Sequence, residues 1–466
     1  MSGQDTGFSA RWLATQLPAI SPGGRFIVAL SGGADSSALA VAMAALATEL
    51  GLPVEAAHIH HGVNTHADAW QRHCQALCER IGLSLVVRRT RPDPDSRLGP
   101  EAEWRRIRYA EFEALLQNGD VLLTAHHQGD QAETLLLNMT RGSGPDGLGA
   151  IPRSRQLGQG RVWRPLLDIG PEALRDYLRD QDLDWIDDDS NSDTAMDRAY
   201  LRQAVLPVME QRWPGIAARL ARVAGHQAEV SSLLAQAAEP WLEQLRLDGH
   251  VLPWSGLRQV RPYLASVVIR HWLRRRGLST PPGKRLDTFL EQLATAEAGS
   301  ATCLAWSGHA LRYFDDALWL GADAYPAPAQ PCQWTGDQSL DLGPVAGGLS
   351  SAAANDATTE LSVRFRSGGE QFRFSTGSPR RALKDLLREA GIPPWFREFV
   401  PLIYRGDTLV GVGHWLLDPD GQESTGNVLQ TLSWQPADPV LKQLADRLGQ
   451  QQHTRHDSLE SPPALG

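Results

Sequence analysis

The chain has 466 residues, 42% of them hydrophobic and 21% charged, with a formal net charge of −9. That length exceeds one core and predicts two to four domains, while the composition is that of an ordinary soluble globular protein. The longest apolar run, Ala38 to Ala47, falls far short of the roughly 18–20 residues that cross a bilayer, and Met1 to Ile20 lacks the apolar stretch of a signal peptide. No membrane partner is expected, and the cytoplasm is the expected location.

In chain order, Arg25 to Leu30 reads as a strand ending at a glycine-rich loop, followed by a helix over Ala38 to Leu50. Val54 to His60 is a second strand, Ala67 to Ile81 a helix, and Leu83 to Val87 a third strand. Glu101 to Leu116 is helical, with Tyr109, Phe112, Leu115 and Leu116 at helical spacing. Asp120 to Ala125 is a fourth strand and Gln131 to Met139 a helix. Strands alternating with helices predict an α/β domain with a parallel sheet covered on both faces and ligands at the carboxyl ends of its strands. Both Ser31 to Ser36 and His126 to Asp130 fall there, which makes them one site.

A helix is expected from Ile169 to Asp180, and beyond Pro214 the strand–helix alternation stops. Ile216 to Leu247 and Pro262 to Arg276 read as helices, with a mixed segment to Leu320. Tyr325 to Ala357 is rich in Pro, Gly, Ala and Ser and reads as a linker with room for one short strand. Leu361 to Trp434 holds short β-type runs around a helical Arg380 to Ala390, and the tail after Pro436 is polar, with disorder expected from about Gln450. The expected domains are therefore 1–215, an α/β catalytic domain; 216–325, mainly helical; 326–358, a linker; 359–435, a small α+β domain; and 436–466, a partly disordered tail.

Four cysteines in so long a chain argue against a disulfide framework. Cys74 and Cys78 read as reduced residues on the inner face of a helix, with a metal site as the alternative. Charge is segregated: six aspartates lie between Asp182 and Asp193, whereas Arg258 to Arg285 holds eight Lys/Arg and no Asp/Glu. Nine Lys/Arg stand against five Asp/Glu from Leu361 to Trp415. Local basic segments of this kind suit a nucleic-acid partner despite the negative total, although a solvated basic face is the plainer reading.

The chemistry concentrates in Ser31-Gly32-Gly33-Ala34-Asp35-Ser36. A glycine pair after a strand turns the backbone tightly, and the following helix aims free N–H groups at an anion. Ser31 and Ser36 add hydroxyls, and Asp35 can hold a magnesium ion on the phosphates. No Gly-Lys-Ser/Thr follows, and no lysine precedes Lys284, so phosphate must be neutralised by backbone, arginine and metal. Asp130 and Glu133, three apart at a helix start, share a face suited to magnesium or proton transfer; Asp130 as a plain helix cap is the alternative. Glu101, Arg105, Arg108 and Tyr109 form a similar face, where a surface salt-bridge ladder is the alternative.

The Ser-Gly-Gly-x-Asp-Ser loop resembles that of the PP-loop, or N-type ATP pyrophosphatase, superfamily. Further blocks resemble the tRNA(Ile)-lysidine synthase family: His58-Ile59-His60-His61-Gly62, Glu101-Ala102 with Arg105 and Arg108-Tyr109, Thr124-Ala125-His126-His127, and Asp130-Gln131-Ala132-Glu133-Thr134. They continue with Arg141-Gly142-Ser143-Gly144, Arg164-Pro165-Leu166-Leu167, Trp185-Ile186, Leu201-Arg202 and Arg212-Trp213-Pro214. Arg364-Phe365-Arg366, Leu383-Lys384, Ile392-Pro393-Pro394-Trp395 and Pro401-Leu402-Ile403-Tyr404 are similar to the C-terminal part of the longer members. The resemblance implies a PP-loop N-terminal domain, a mainly helical domain and a small α+β C-terminal domain. Three positions depart from it: Gly129 stands where an aspartate is usual, Trp104 where a small residue is usual, and Ala199 where Asn is common.

The resemblance implies ATP-dependent adenylation of the wobble cytidine of a CAU-anticodon isoleucine tRNA, followed by displacement of AMP by L-lysine. Ser31, Gly32, Gly33, Ala34, Asp35, Ser36, His58 and His126 would then bind ATP, and Asp35 and Asp130 would hold Mg2+. Asp35, Asp130, Glu133 and Arg105 would be catalytic, with Glu101, Asp130 and Glu133 as candidates for holding the lysine. Arg141, Arg202, Arg274, Arg275, Arg364, Arg366, Lys384 and Arg397 are the candidates for tRNA contact. No obligatory protein partner is implied, and a homodimer stays open. The same loop also serves tRNA thiolases and the GMP, NAD and asparagine synthetases; a thiolase would be expected to carry Cys-x-x-Cys, which Cys74 and Cys78 do not form. A catalytically silent ATP- and RNA-binding protein is the remaining alternative, favoured only by Gly129.

Overall fold

The computed structural model describes the chain apart from residues 1–6, 61, 63–65, 92–99, 188–196, 246–248, 296–301, 337, 353–360, 374–378, 419–427 and 461–466, together with the side chains of 100–102 and 451–460. It divides into two compact units, Met1–Leu234 and Ala235–Gly466.

The N-terminal unit is a six-stranded sheet in the order β3-β2-β1-β4-β6-β5, comprising β1 (Phe26–Ala29), β2 (Val54–His60), β3 (Ser84–Arg89), β4 (Val121–Leu123), β5 (Ser154–Leu157) and β6 (Gly160–Trp163). All neighbours run parallel except β5, which pairs antiparallel with β6. The central strand β1 is apolar on both faces, and Val28 lies in register with Ala56 and Leu123. Its helices are α1 (Ala10–Gln16), α2 (Ala34–Leu50), α3 (Ala67–Ile81), α4 (Pro100–Leu115), α5 (Gln128–Thr140), α6 (Pro145–Leu148), α7 (Pro171–Asp180), α8 (Asp197–Tyr200), α9 (Leu206–Arg212) and the first part of α10 (Ile216–Gln244), with a π-helical turn at Leu201–Val205; the rest of α10, from Ala235, belongs to the second unit. The apolar core divides into two clusters, one containing Val28, Leu39 and Leu123, the other Ile27, Phe112 and Leu122.

Helix α2 is buried along most of its length, from Ser36 to Ala44, as expected of an Ala/Leu sequence without a polar face. At the amino ends of the strands, Arg25 donates through its backbone N and its Nε to Asp120, at 3.1 and 3.3 Å, and pairs with Glu55. Asp120 is 2% exposed, so this ion pair clamps β1, β2 and β4 at the edge opposite the loop. The β5–β6 hairpin and α1 were not expected from the sequence. SRQLGQGRVW is too short and polar to signal strands; its turn is made by Gly158 at φ +53°.

The second unit opens with helices packed on an antiparallel sheet. Helices α11 (Trp254–Arg258), α12 (Pro262–Arg275) and α13 (Gly283–Thr295) accompany strands β7 (Val251–Pro253), β8 (Cys303–Trp306), β9 (His309–Phe314) and β10 (Ala317–Ala322), in the order β7-β10-β9-β8. Trp272, 1% exposed, lies in a core with Ile269, Leu286, Phe289 and Leu318. The remainder carries β11 (Cys332–Trp334), β12 (Leu340–Asp341), α14 (Gly343–Ala346), β13 (Gly348–Ser351), β14 (Leu361–Arg364), β15 (Gln371–Phe372), β16 (Arg381–Ala382), α15 (Leu383–Glu389), β17 (Leu402–Arg405), β18 (Thr408–Val412), β19 (Leu416–Leu417), β20 (Leu432–Gln435) and α16 (Pro439–Glu460).

Two segments differ here from their sequence reading. The stretch 326–358, expected as a linker, supplies β11, β12 and β13, and buries Trp334, Leu342, Val345, Ala346 and Leu349 in one core with Leu361, Val410 and Trp434. Its many small residues hide these few large apolar ones, whose spacing gives no sustained period. Beyond Pro436, α16 adds Val440, Leu441, Leu444, Ala445 and Leu448 to the same core. Leu349 is fully buried and paired with Trp434 across β13 and β20. Leu349→Ala should therefore lower the unfolding free energy by about 2–5 kcal/mol in urea titration. A linker residue would change it by less than about 0.5 kcal/mol.

Candidate active site

The site begins where β1 stops. Gly32 turns the backbone at φ +94°, and a Cβ there would stand 2.7 Å from Ile186 Cδ1 and 3.2 Å from Cys74 Sγ. Its carbonyl accepts a hydrogen bond from Ile186 N at 3.0 Å. Only glycine fits both the conformation and the space. Gly33 then caps α2, and the Ser36 hydroxyl accepts from Ser31 N at 3.2 Å, donates to the Gly33 carbonyl at 3.1 Å and lies 3.0 Å from Ser31 Oγ. The loop is thus closed on itself, with the amino end of a 17-residue helix behind it.

A cavity of about 220 Å³ lies over this loop. Ser31, Gly33, Asp35, Ser36, His126 and Asp130 line it, as do Ile59, Arg108, Tyr109, Phe112 and Thr124. The two segments expected to form one site are therefore brought together. Gly32 and Ala34 shape the loop without lining the cavity. His58 stands behind it, 5% exposed, with Nδ1 2.9 Å from the Leu30 carbonyl and 3.5 Å from Cys74 Sγ. Burial lowers the His58 pKa, so the ring is a neutral donor that steadies the end of β1. Arg105 also lies outside the lining and stacks on the Tyr109 ring, 5.0 Å from its centroid. Glu101 falls in the first turn of α4, but its side chain lies outside the described residues.

Asp35, Asp130 and His127 converge. His127 Nε2 lies 3.5 Å from Asp35 Oδ2 and 3.7 Å from Asp130 Oδ2. His127 caps α5: its Nδ1 accepts from Gly129 N at 3.0 Å, while Asp130 Oδ2 accepts from His127 N at 2.9 Å. The cap is built on Gly129, where a Cβ would come within 2.8 Å of His127 Cε1. Burial raises the Asp35 pKa against the opposing pull of His127. Asp130 feels burial too, but His127, His126 and the hydrogen bond from His127 N hold its carboxyl below the usual range. Asp35 Oδ1 is buried without a hydrogen-bond partner.

Glu133, expected to face the substrate beside Asp130, turns to Arg202 instead. Arg202 donates Nε to Oε1 at 2.6 Å and Nη2 to Oε2 at 3.0 Å, while Glu133 is only 2% exposed. Both oxygens of the carboxylate are engaged, so Glu133 anchors the arginine. Arg202 also lies 3.7 Å from Asp130, and the π-helical turn at Leu201–Val205 carries it to this pair of carboxylates. Sequence reading placed Arg202 among the RNA contacts because a helix start and its partner 69 residues earlier share no local pattern.

Among the other expected RNA contacts, Arg141 lies 3.6 Å from Asp197, and Arg275 pairs with Glu239. Arg364 stacks on Tyr404, 4.5 Å from its centroid. Arg366 and Lys384 share a second cavity with Glu370, and Arg397 donates to the Ile392 carbonyl at 2.9 Å. Arg274 lies in the last turn of α12. Cys74 and Cys78 are buried and free, and burial pushes their thiols up to about 12 and about 11. Among the described residues, no group of three or more His, Cys, Asp or Glu is placed to hold a metal ion, and no helix is long and apolar enough to cross a membrane.

Three family models match along the chain: a PP-loop domain over residues 9–209, a TilS substrate binding domain over 252–319 and a TilS substrate C-terminal domain over 361–434. A tRNA(Ile)-lysidine synthase from Alkalilimnicola ehrlichii is 39% identical over 419 residues, covering 87% of this chain and 93% of the relative. The chain belongs to the tRNA(Ile)-lysidine synthase family. Proteins of the same name from Methylococcus capsulatus and Coxiella burnetii are 34% and 35% identical, covering 85% and 87% of this chain and 93% and 92% of theirs. The match to the PP-loop domain agrees with the cavity over Ser31 to Ser36, and that domain binds ATP.

Two expectations follow from the geometry. Glu133→Gln and Arg202→Gln remove one and the same pair, so the double variant should be barely less stable than either single one. The coupling in unfolding free energy should be about 0.5–3 kcal/mol, and a value near zero would mean that another group holds the guanidinium. His126, in turn, is driven down to about 3 by burial, with Arg164, Arg105 and Arg108 adding to the shift against Asp130. From about 3 up to the ordinary value of 6.5, the unfolded chain holds the proton more tightly, so stability rises with pH across that window and levels off above it. His126→Asn should flatten that part of the stability–pH curve, measured by denaturant titration.

Proposed function

We propose that the protein ligates L-lysine to C2 of the wobble cytidine, position 34, of the isoleucine tRNA with a CAU anticodon, consuming ATP and changing the codon read from AUG to AUA. The observation carrying this reading is the single cavity in which the Ser31–Ser36 loop meets His126 and Asp130, in a chain of this family. The triphosphate would lie on the loop, held by backbone N–H groups, the Ser31 and Ser36 hydroxyls and the amino end of α2. Ile59 and Phe112 supply apolar wall for the adenine.

In the first step, the cytosine O2 forms a bond to the α-phosphorus while the bond to pyrophosphate breaks. In the second, the lysine ε-amine bonds to C2, and AMP leaves with the oxygen. The amine must first lose its proton, because an ammonium with a pKa near 10.4 carries no lone pair. Asp130, whose carboxyl is held below the usual range and which lines the cavity, would hold the amine, with Glu101 as the second candidate. Positioning and charge stabilisation carry most of the catalysis in such transfers.

Magnesium fits the donors present. Asp35 and Asp130 would hold it, because both offer hard oxygens and Asp35 Oδ1 has no other partner. When bound, the ion would neutralise charge on the phosphates that leave as pyrophosphate. The basic segment with Arg274 and Arg275 and the C-terminal Arg364, Arg366, Lys384 and Arg397 are the proposed contacts to the tRNA body, and Arg141 is a contact nearer the cavity. On this reading the protein works in the cytoplasm.

Incubation with ATP, labelled lysine and total tRNA should place the label in RNA. Asp35→Ala should lower tRNA-dependent pyrophosphate release by more than about 100-fold. Release that persists in the variant would remove Asp35 from the mechanism, and an unlabelled RNA with the wild-type chain would remove the lysine reaction itself.

A further inference from the structure

Several arginines around the N-terminal sheet are matched by acid. Arg25, Arg89, Arg106, Arg153, Arg179 and Arg202 each reach a carboxylate. Around Tyr109 the pattern fails. Arg105 from α4 and Arg155 from β5 stack on its ring, with guanidinium carbons 5.0 and 4.6 Å from the centroid. Arg164, just past β6, points Nη2 at the Tyr109 hydroxyl from 3.5 Å. None of these three arginines has a carboxylate within ion-pair distance among the described residues.

Arg164 is 2% exposed, donates Nη1 to the Pro152 carbonyl at 2.6 Å, and keeps its Nε buried without a partner. Three cations on one phenol repel one another, and the ring quadrupole offsets only part of that cost. The balance is restored if an anion completes the group. Its position sets which anion. Tyr109 lines the nucleotide cavity, whereas Arg105, Arg155 and Arg164 do not, and Arg155 is exposed on the edge hairpin. The exposed member of the group, Arg155, therefore presents its charge to solvent beside the cavity and outside its lining.

We propose that Arg155, stacked on Tyr109 beside Arg105, is a phosphate clamp that takes a backbone phosphate of the substrate RNA next to the nucleotide entering the cavity. A guanidinium fork matches a phosphodiester bidentately, and the arginine–tyrosine stack offers a flat platform to an unstacked base. Arg155 is then a positioning residue for the RNA, with Arg164 holding Tyr109 from beneath. This rests on the tRNA reading above.

The test uses the full chain, with Arg155→Ala and Arg155→Lys compared against wild type. Arg155→Ala should weaken tRNA binding about tenfold, flatten the slope of log affinity against log salt by about 0.7, and leave the KM for ATP unchanged. Arg155→Lys should recover the salt slope but only part of the affinity, because a point charge replaces the fork. Unchanged tRNA affinity and slope in Arg155→Ala would overturn the clamp, as would a raised KM for ATP with tRNA binding intact, which would assign the group to the nucleotide's own phosphates. Failure of the wild-type chain to bind or modify tRNA would overturn the functional reading, and is distinguishable because it appears without any substitution.

Discussion

Between β1 and α2 the chain must turn where three elements already meet. Ile186 on one side and Cys74 of α3 on the other leave no room for a side chain at position 32. The turn orients everything downstream: the capped start of α2, the Ser31–Ser36 hydroxyl pair and the carboxylate of Asp35. Because Ile186 N bonds the Gly32 carbonyl, a segment more than 150 residues later in sequence fixes the loop. His58 serves the same purpose from below, holding the Leu30 carbonyl at the last point where β1 is straight.

The second organising constraint is charge. With no lysine before Lys284, the N-terminal unit handles anions with backbone dipoles and arginine. It sorts its guanidinium groups into two kinds. Arg202 is locked onto Glu133 and held 3.7 Å from Asp130. Arg105 and Arg155 are stacked on the Tyr109 ring, with no carboxylate within ion-pair distance among the described residues. The same residue type therefore plays opposite parts, set by whether a carboxylate or an aromatic face is its neighbour.

Much of this could be read from the chain alone because the signals are local. The alternation of strands and helices up to Met139, the Gly-Gly turn and the spacing of Asp130 from His126 each declare themselves within a few residues. What escaped sequence reading depends on partners far apart. The Glu133–Arg202 pair spans 69 residues, and the contact between Arg155 and Tyr109 requires a hairpin of polar residues that has no strand period. Composition misled in the 326–358 stretch, where small residues surround Trp334 and Leu349, and in the tail, where α16 is polar on average but buries one stripe. Local propensity is a weak guide when a few large side chains decide the packing.

Gly129 has a consequence of a different kind. The His127 ring rests in the volume that any side chain at 129 would need, and from there its Nε2 faces Asp35 and Asp130. The two positions thus compete for one space: either residue 129 carries a side chain, or the imidazole lies across the helix start. A carboxylate added at 129 would not simply join the two already present. It would displace the imidazole from the space between them. Which group faces Asp35 and Asp130 is in this sense governed by steric occupancy at residue 129.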